Sequence, residues 1–212
     1  MIKLTLQVED LTDDHGIFLI KLARKAIETY LQKREKISIP SNTPPILKEK
    51  SGVFVTLNKI VDDHEELRGC IGYIEPIKPL VIATIDAAIA AALEDPRFPP
   101  VKLHEMRDIT IEVTVLTPPK KIVVSSPNEY LSKIKIGRDG LLLRYKFFSG
   151  TLLPQVPVEY NWDVETFLEH LCLKAGLPIT CWKDPEVEIY AYQGIIWKEE
   201  DPYGKIVRVS FK

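Results

Sequence analysis

The stretch LRGCIGYIEP, residues 67–76, decides how this sequence is read. Residues 67–74 are predicted to form a strand. Alternation then places Leu67, Gly69, Ile71 and Tyr73 on one face and Arg68, Cys70, Gly72 and Ile74 on the other. Residues two apart are separated by roughly 6.6 Å along a strand. Arg68 is therefore expected to project its guanidinium over the surface that carries the Cys70 thiol. Gly72 leaves an open patch on that surface. Gly69 does the same on the opposite face, or marks a bulge.

Working outward, residues 52–59 alternate Val53, Val55 and Leu57 against Phe54, Thr56 and Asn58, a strand that the polar VDDHEE connection joins to 67–74 as a hairpin. His64 in that connection reads as a solvated turn residue. Upstream, Thr12 is a plausible N-cap for a helix fading near Lys33, with Ile17, Ile20, Ala23, Ile27 and Tyr30 at helical spacing. Downstream, Pro79 opens an alanine-rich helix to about Glu94, where DPRFPP stops it. Residues 109–116 alternate cleanly and predict a half-buried strand. Ser126-Pro127-Asn128-Glu129 resembles a capping box before a short helix. GRDG, residues 137–140, is expected to turn a hairpin between 134–136 and 141–147. Asp163 caps a helix through Ala175, with Gly176 and Pro178 beyond it. Residues 187–197 and 206–211 read as strands. Strand runs with hairpin-length links and few helices predict an α+β fold: a mostly antiparallel sheet packed by helices, in a larger and a smaller lobe with a cleft between.

The 212 residues carry 28 basic and 30 acidic side chains, a net charge of -2, which argues against a protein that coats nucleic acid. The N-terminus, MIKLTLQVEDLTDD, lacks a signal-peptide core, and the longest weakly charged run, 77–93, is too short and too interrupted to span a bilayer. The expectation is a soluble cytoplasmic protein. Cys70, Cys172 and Cys181 form neither a zinc spacing nor an even disulfide framework, so three separate reduced thiols are expected.

The chemistry concentrates around 67–76. Arg68 offers a fork of donors suited to carboxylate or phosphate, and a nearby positive charge would raise the thiolate fraction of Cys70. A nucleophilic thiol also needs a general base, which arginine cannot be. The bland reading stands beside this one: Cys70 packs, the glycines let the helix close in, and Arg68 is half of an ion pair. Arg97 in DPRF either binds an anion or ties down its loop. Asp86, the only acid within its helix, lies at a wet edge or is buried with a partner. Glu112, on the polar face of 109–116, is a candidate general base or counter-ion to Arg68. Pro154 and Pro157 are expected to hold LPQVPVEYNW extended, placing Glu159, Tyr160 and Asn161 just before a helix N-terminus as ligand contacts. No phosphate loop, dinucleotide fingerprint, metal-ligand spacing or radical-SAM cysteine triplet is present, so no cofactor is specified and no metal site is expected.

Several blocks together resemble the AMMECR family: LRGCIG (67–72), AALEDPRFPP (91–100), IEVTVLTPP (111–119), IGRDGLLL (136–143) and LLPQVPVEYNWDVETFLEHLCLKAGLP (152–178), in family order. The resemblance runs from about residue 10 to 200. It implies one AMMECR-type domain over 1–212, in two lobes whose boundary the sequence does not fix, with the shared blocks near a cleft. It also implies an association with Memo-type proteins and radical-SAM enzymes in a modification system, and leaves open whether this protein is itself an enzyme. Two functions follow as expectations. In the first, a cleft binds a small anionic or nucleotide-like ligand: Arg68 and Arg97 clamp it, Gly69 and Gly72 leave room, Glu112 or Asp86 handles protons, and Cys70 supports or reacts. The second is a non-catalytic adaptor that receives a segment of a partner.

Overall fold

A computed structural model describes residue 6, residues 10–62 and residues 64–209. Asp63 of the VDDHEE connection, the expected strand end at Ser210 and Phe211, and most of the N-terminal segment weighed as a leader lie outside the described residues. The chain packs as two compact units, a larger one up to Pro118 plus the stretch from Ile195, and a smaller one over Pro119–Gly194.

The larger unit is built on α1 (Asp13–Lys33), β1 (Gly52–Val61), β2 (His64–Tyr73), α2 (Leu80–Leu93) and β3 (Ile109–Leu116). β1 pairs antiparallel with β2 on one side and β3 on the other. Val53, Val55 and Leu57 of β1 and Ile111, Val113 and Val115 of β3 are fully buried and meet α1 and α2 in one core. Burying a side chain of this size contributes about 1.5–3 kcal/mol. The alanines of α2 let it lie close to β2: a Cβ on Gly69 would sit 2.1 Å from the Ala91 carbonyl oxygen. Gly69 is therefore a close-approach glycine, not an opening.

The smaller unit holds β4 (Lys120–Lys121), α3 (Glu129–Lys133), β5 (Asp139–Tyr145), β6 (Phe148–Leu152), α4 (Val156–Glu159) and α5 (Val164–Lys174). Its core gathers Leu141, Leu143, Phe167, Leu168, Leu171 and Trp182. β7 (Glu188–Glu199) pairs antiparallel with β5 through its first half, then enters the larger unit, where β8 (Ile206–Val209) pairs with its end. There Glu199 anchors the buried Arg24, accepting from Nε at 2.8 Å, while Arg24 also donates to the Ile109 carbonyl at 2.7 Å. The α+β class and the antiparallel pairing agree with the sequence reading.

Three local expectations fail. GRDG does not turn a hairpin: the turn falls at Lys146-Phe147, between β5 and β6, with Lys146 at φ 52°. Asp139 of that motif is instead buried, held by Arg138 at 2.7 Å and the Lys135 amide at 2.9 Å. LPQVPVEYNW is not fully extended. Pro157 sits in the first turn of α4, where its missing N–H costs no helical bond. Cys172 and Cys181 are not separate thiols but a disulfide, Cα–Cα 5.8 Å. The chain reverses after α5 through Gly176 at φ 76°, which returns Cys181 to the end of the helix.

Candidate functional site

The register of β2 governs the geometry around the hexapeptide. Val55 faces Ile71, Thr56 faces Cys70 and Leu57 faces Gly69, but Asn58 faces Leu67. Arg68 is left without a partner: it is the extra residue of a β-bulge. The bulge breaks the alternation on which Arg68 and Cys70 were expected to share a face. Arg68 turns to the 3₁₀ segment Leu103–Asp108, where its Nε and Nη2 each donate to Glu105 at 3.2 Å, with both side chains largely buried. Burial opposes ionisation of Glu105, but the Arg68 bonds and the Lys102 amide at 2.8 Å hold its carboxyl below the usual range. The counter-ion of Arg68 is thus Glu105, not Glu112.

Cys70 belongs to the opposite surface. The register of three strands sets Cys70, Thr56 and Glu112 in one row, with Gly72, Phe54 and Thr114 in the next. The Thr56 hydroxyl donates to the Cys70 sulfur at 3.3 Å. A Cβ on Gly72 would meet the Phe54 ring at 2.5 Å, so Gly72 is the seat of Phe54 rather than open space.

The backbone of Cys70 is held from outside the ladder, on the edge strand. Its N–H donates to Asp95 Oδ2 at 2.8 Å, and Arg97 Nη2 donates to its carbonyl at 3.4 Å. Asp95 and Arg97 are themselves clasped, Nε to Oδ1 at 2.9 Å and Nη2 to Oδ2 at 2.7 Å. The Asp95 carboxylate is nearly sealed, while the Arg97 side chain is 54% exposed. The Arg97 hydrogen bonds hold the Asp95 carboxyl far below the usual carboxylate range. Burial pushes the Cys70 thiol above its ordinary value; Thr56 and Arg97 oppose this, Glu112 and Asp95 add to it, and the net is upward. An upward shift works against the thiolate that a nucleophile needs.

The other candidates lie apart from this row. Asp86 receives Lys36 at 2.8 Å and Lys78 at 2.6 Å, tying the segment after α1 to the start of α2. Burial opposes its ionisation, but the two ammonium groups hold its carboxyl low. Asp86 is thus a partly buried acid paired with two solvent-facing lysines, so it has partners but keeps a wet edge. His64 is exposed and opens β2. In the smaller unit, Glu159 ends α4 with its carboxyl raised by burial, and Asn161 takes a left-handed φ of 51°. Tyr160 stacks on Trp162 at 5.1 Å and Trp162 on His170 at 3.9 Å. Among the described residues no group of three or more His, Cys, Asp or Glu could hold a metal ion, and no helix is long and apolar enough to cross a membrane.

Sequence reasoning missed two residues. Asp95 carried a local signal, an acid two residues before Arg97 at a helix stop. Glu105, 37 residues from Arg68, carried none.

The chain is similar to proteins of archaea along nearly its whole length. It is 54% identical over 197 residues to protein PH0010 of Pyrococcus horikoshii, covering 92% of this chain and 95% of that protein. It is 56% identical over 201 residues to protein MK0488 of Methanopyrus kandleri, covering 93% and 95%. The crystal structure of the uncharacterized protein PH0010 superposes with a TM-score of 0.89 at 52% identity, covering 95% of this chain and 99% of that one. The AMMECR1 family model matches residues 20–197, the span that carries the bulged strand, the Asp95–Arg97 clasp and the stacked rings, and the chain belongs to the AMMECR1 family.

Proposed function

We propose that the hexapeptide face of the larger unit binds a small anionic or nucleotide-like ligand, and that Cys70 recognises rather than attacks it. The observation that carries this reading is the row of Cys70, Thr56 and Glu112. It gathers a thiol whose ionisation burial opposes, a hydroxyl and a carboxylate, with a half-exposed Arg97 guanidinium beside them. Arg97 would meet the ligand's acidic group, and the Phe54 ring in the adjoining row offers a planar moiety a stacking surface. Arg68 has no direct role in this reading. Through Glu105 it is a positioning residue that fixes the bulge and hence the aim of Cys70.

Within a modification system of the kind that the family resemblance implies, beside Memo-type and radical-SAM proteins, such a face would hold a small molecule for the partner's chemistry. The adaptor reading finds less support at this strand. The Cys70 N–H and carbonyl are already taken by Asp95 and Arg97, so that point of the edge is closed to a strand from another chain.

A thermal-shift screen of nucleotides and small phosphorylated or carboxylated compounds tests the proposal. A site ligand at a hundred times its Kd stabilises by about 2.7 kcal/mol. That shift should vanish in Arg97→Gln and shrink in Glu112→Gln; a shift that survives both substitutions places the ligand elsewhere. Iodoacetamide tests the role of Cys70. Its alkylation should be slower than that of free cysteine at neutral pH, and a faster rate would mark a nucleophile.

A further inference from the structure

A second binding site lies in the smaller unit and uses none of the residues assigned to the hexapeptide face. A cavity of about 410 Å³ opens between β4, the segment leading to α3, and the 3₁₀ turn Cys181–Lys183. That volume is in the range of small-molecule sites. Its walls are apolar and aromatic, with Ile122, Tyr130 and Trp182 among them, and Lys121 and Lys183 line it as well. The geometry points to a binding site for a small monocarboxylate with an aromatic or branched aliphatic body.

Charge selects the carboxylate. Lys121 and Lys183 are each about half exposed, their carboxylate partners, Glu188 and Glu165, are half exposed too, and Lys183 Nζ also lies 4.7 Å from the centre of the Trp182 ring, at the cavity wall. Ion pairs in water contribute little and exchange readily, so a ligand carboxylate can draw either lysine. Asp184 also lines the cavity and weighs against a second negative charge on the ligand, which is why a monocarboxylate is favoured over a phosphate.

The wall supports the apolar body. Trp182 is only 2% exposed, and its indole N–H is buried without a hydrogen-bond partner, donor capacity that the protein itself leaves unused. The adjoining Cys181–Cys172 disulfide pins this turn to α5, so the wall is preorganised rather than loose.

Phenylacetate is a suitable probe, with phenethylamine as its charge-reversed control. In ¹⁵N–¹H spectra of the full chain, the Trp182 indole resonance should move saturably with millimolar phenylacetate. The Trp197 indole, bonded to Asp13 at 3.1 Å within the other core, should stay still. Phenethylamine should bind at least tenfold more weakly. The double variant Lys121→Glu, Lys183→Glu, which changes only half-exposed side chains, should weaken phenylacetate at least tenfold. An unmoved Trp182 resonance, equal binding of the amine, or unchanged affinity in the double variant overturns the assignment.

Discussion

The hexapeptide face and the Trp182 cavity hold their charges in opposite ways. Around the hexapeptide the sealed charges are engaged inside the protein, Arg68 with Glu105 and Asp95 with Arg97 and the Cys70 amide, and of these only the Arg97 guanidinium keeps a half-exposed side. These pairs are wholly or partly withdrawn from water, so breaking one strands its partner. Around the cavity the lysines pair through water-exposed contacts that exchange at little cost. The first region uses its buried charges to set backbone geometry, while the lysines of the second pair only across half-exposed contacts. Arg68, inside the glycine-rich strand, is thus more informative about architecture than about ligand charge.

The sharpest way to break this comparison is Arg68→Ala. It leaves Glu105 partly buried without its cation and removes the restraint on the bulge. Breaking such a pair costs about 3 kcal/mol, at the low end for buried pairs because neither side chain is fully sealed. For a chain of this size that is a fall in Tm of roughly 6–12 °C. Adding Glu105→Gln to Arg68→Ala should recover part of the loss, since the stranded charge is gone. A single variant that melts with the wild type would make Arg68 a spare guanidinium, free for a ligand after all.

The disulfide sharpens the contrast from the other side. Closing a loop over a sequence separation of 9 residues stabilises by roughly 2–3 kcal/mol in the chain-entropy account. Cys181→Ala should lower stability by about that much. Hydrogen exchange should rise at the Cys181–Lys183 turn and the end of α5 while β1 to β3 keep their protection. An equal rise in β1 to β3 would mean that the two cores do not respond separately.

Much of this architecture was legible in the sequence, because caps and alternation are local. The bounds of α1, α2, β3 and α5 follow from Thr12, Pro79, the Ile-Thr-Ile-Glu-Val-Thr-Val rhythm and the Asp163 to Gly176 pair. The candidate face was legible only by half. Cys70 and Glu112 do share a surface, but Arg68 left it because of a bulge, and a bulge is a property of two paired strands rather than of one. The Lys146-Phe147 turn was missed for the reverse reason: neither residue type advertises a left-handed φ, and the nearby glycines of GRDG did. The disulfide joins a helix end to the turn after it, and neither a motif nor an even cysteine count announces it.

The smallest expected effect is a pH dependence at the clasp itself. The Asp95 carboxyl titrates far below an unfolded aspartate, whose pKa is about 3.9. A carboxyl depressed by folding adds stability that is fully present above the unfolded value and is lost as pH falls through the folded one. The wild type should therefore be more stable than Asp95→Asn at neutral pH, and the gap should narrow steadily as the solution is acidified below about pH 4. Because Arg97 is more than half exposed, water screens much of the attraction, and the part of the gap that titrates should be about 1 kcal/mol. Urea melts of both proteins across the acid range would show it. A constant gap would mean that Asp95 serves the Cys70 amide as a neutral acceptor would, and that the Arg97 charge contributes nothing to holding the hexapeptide strand.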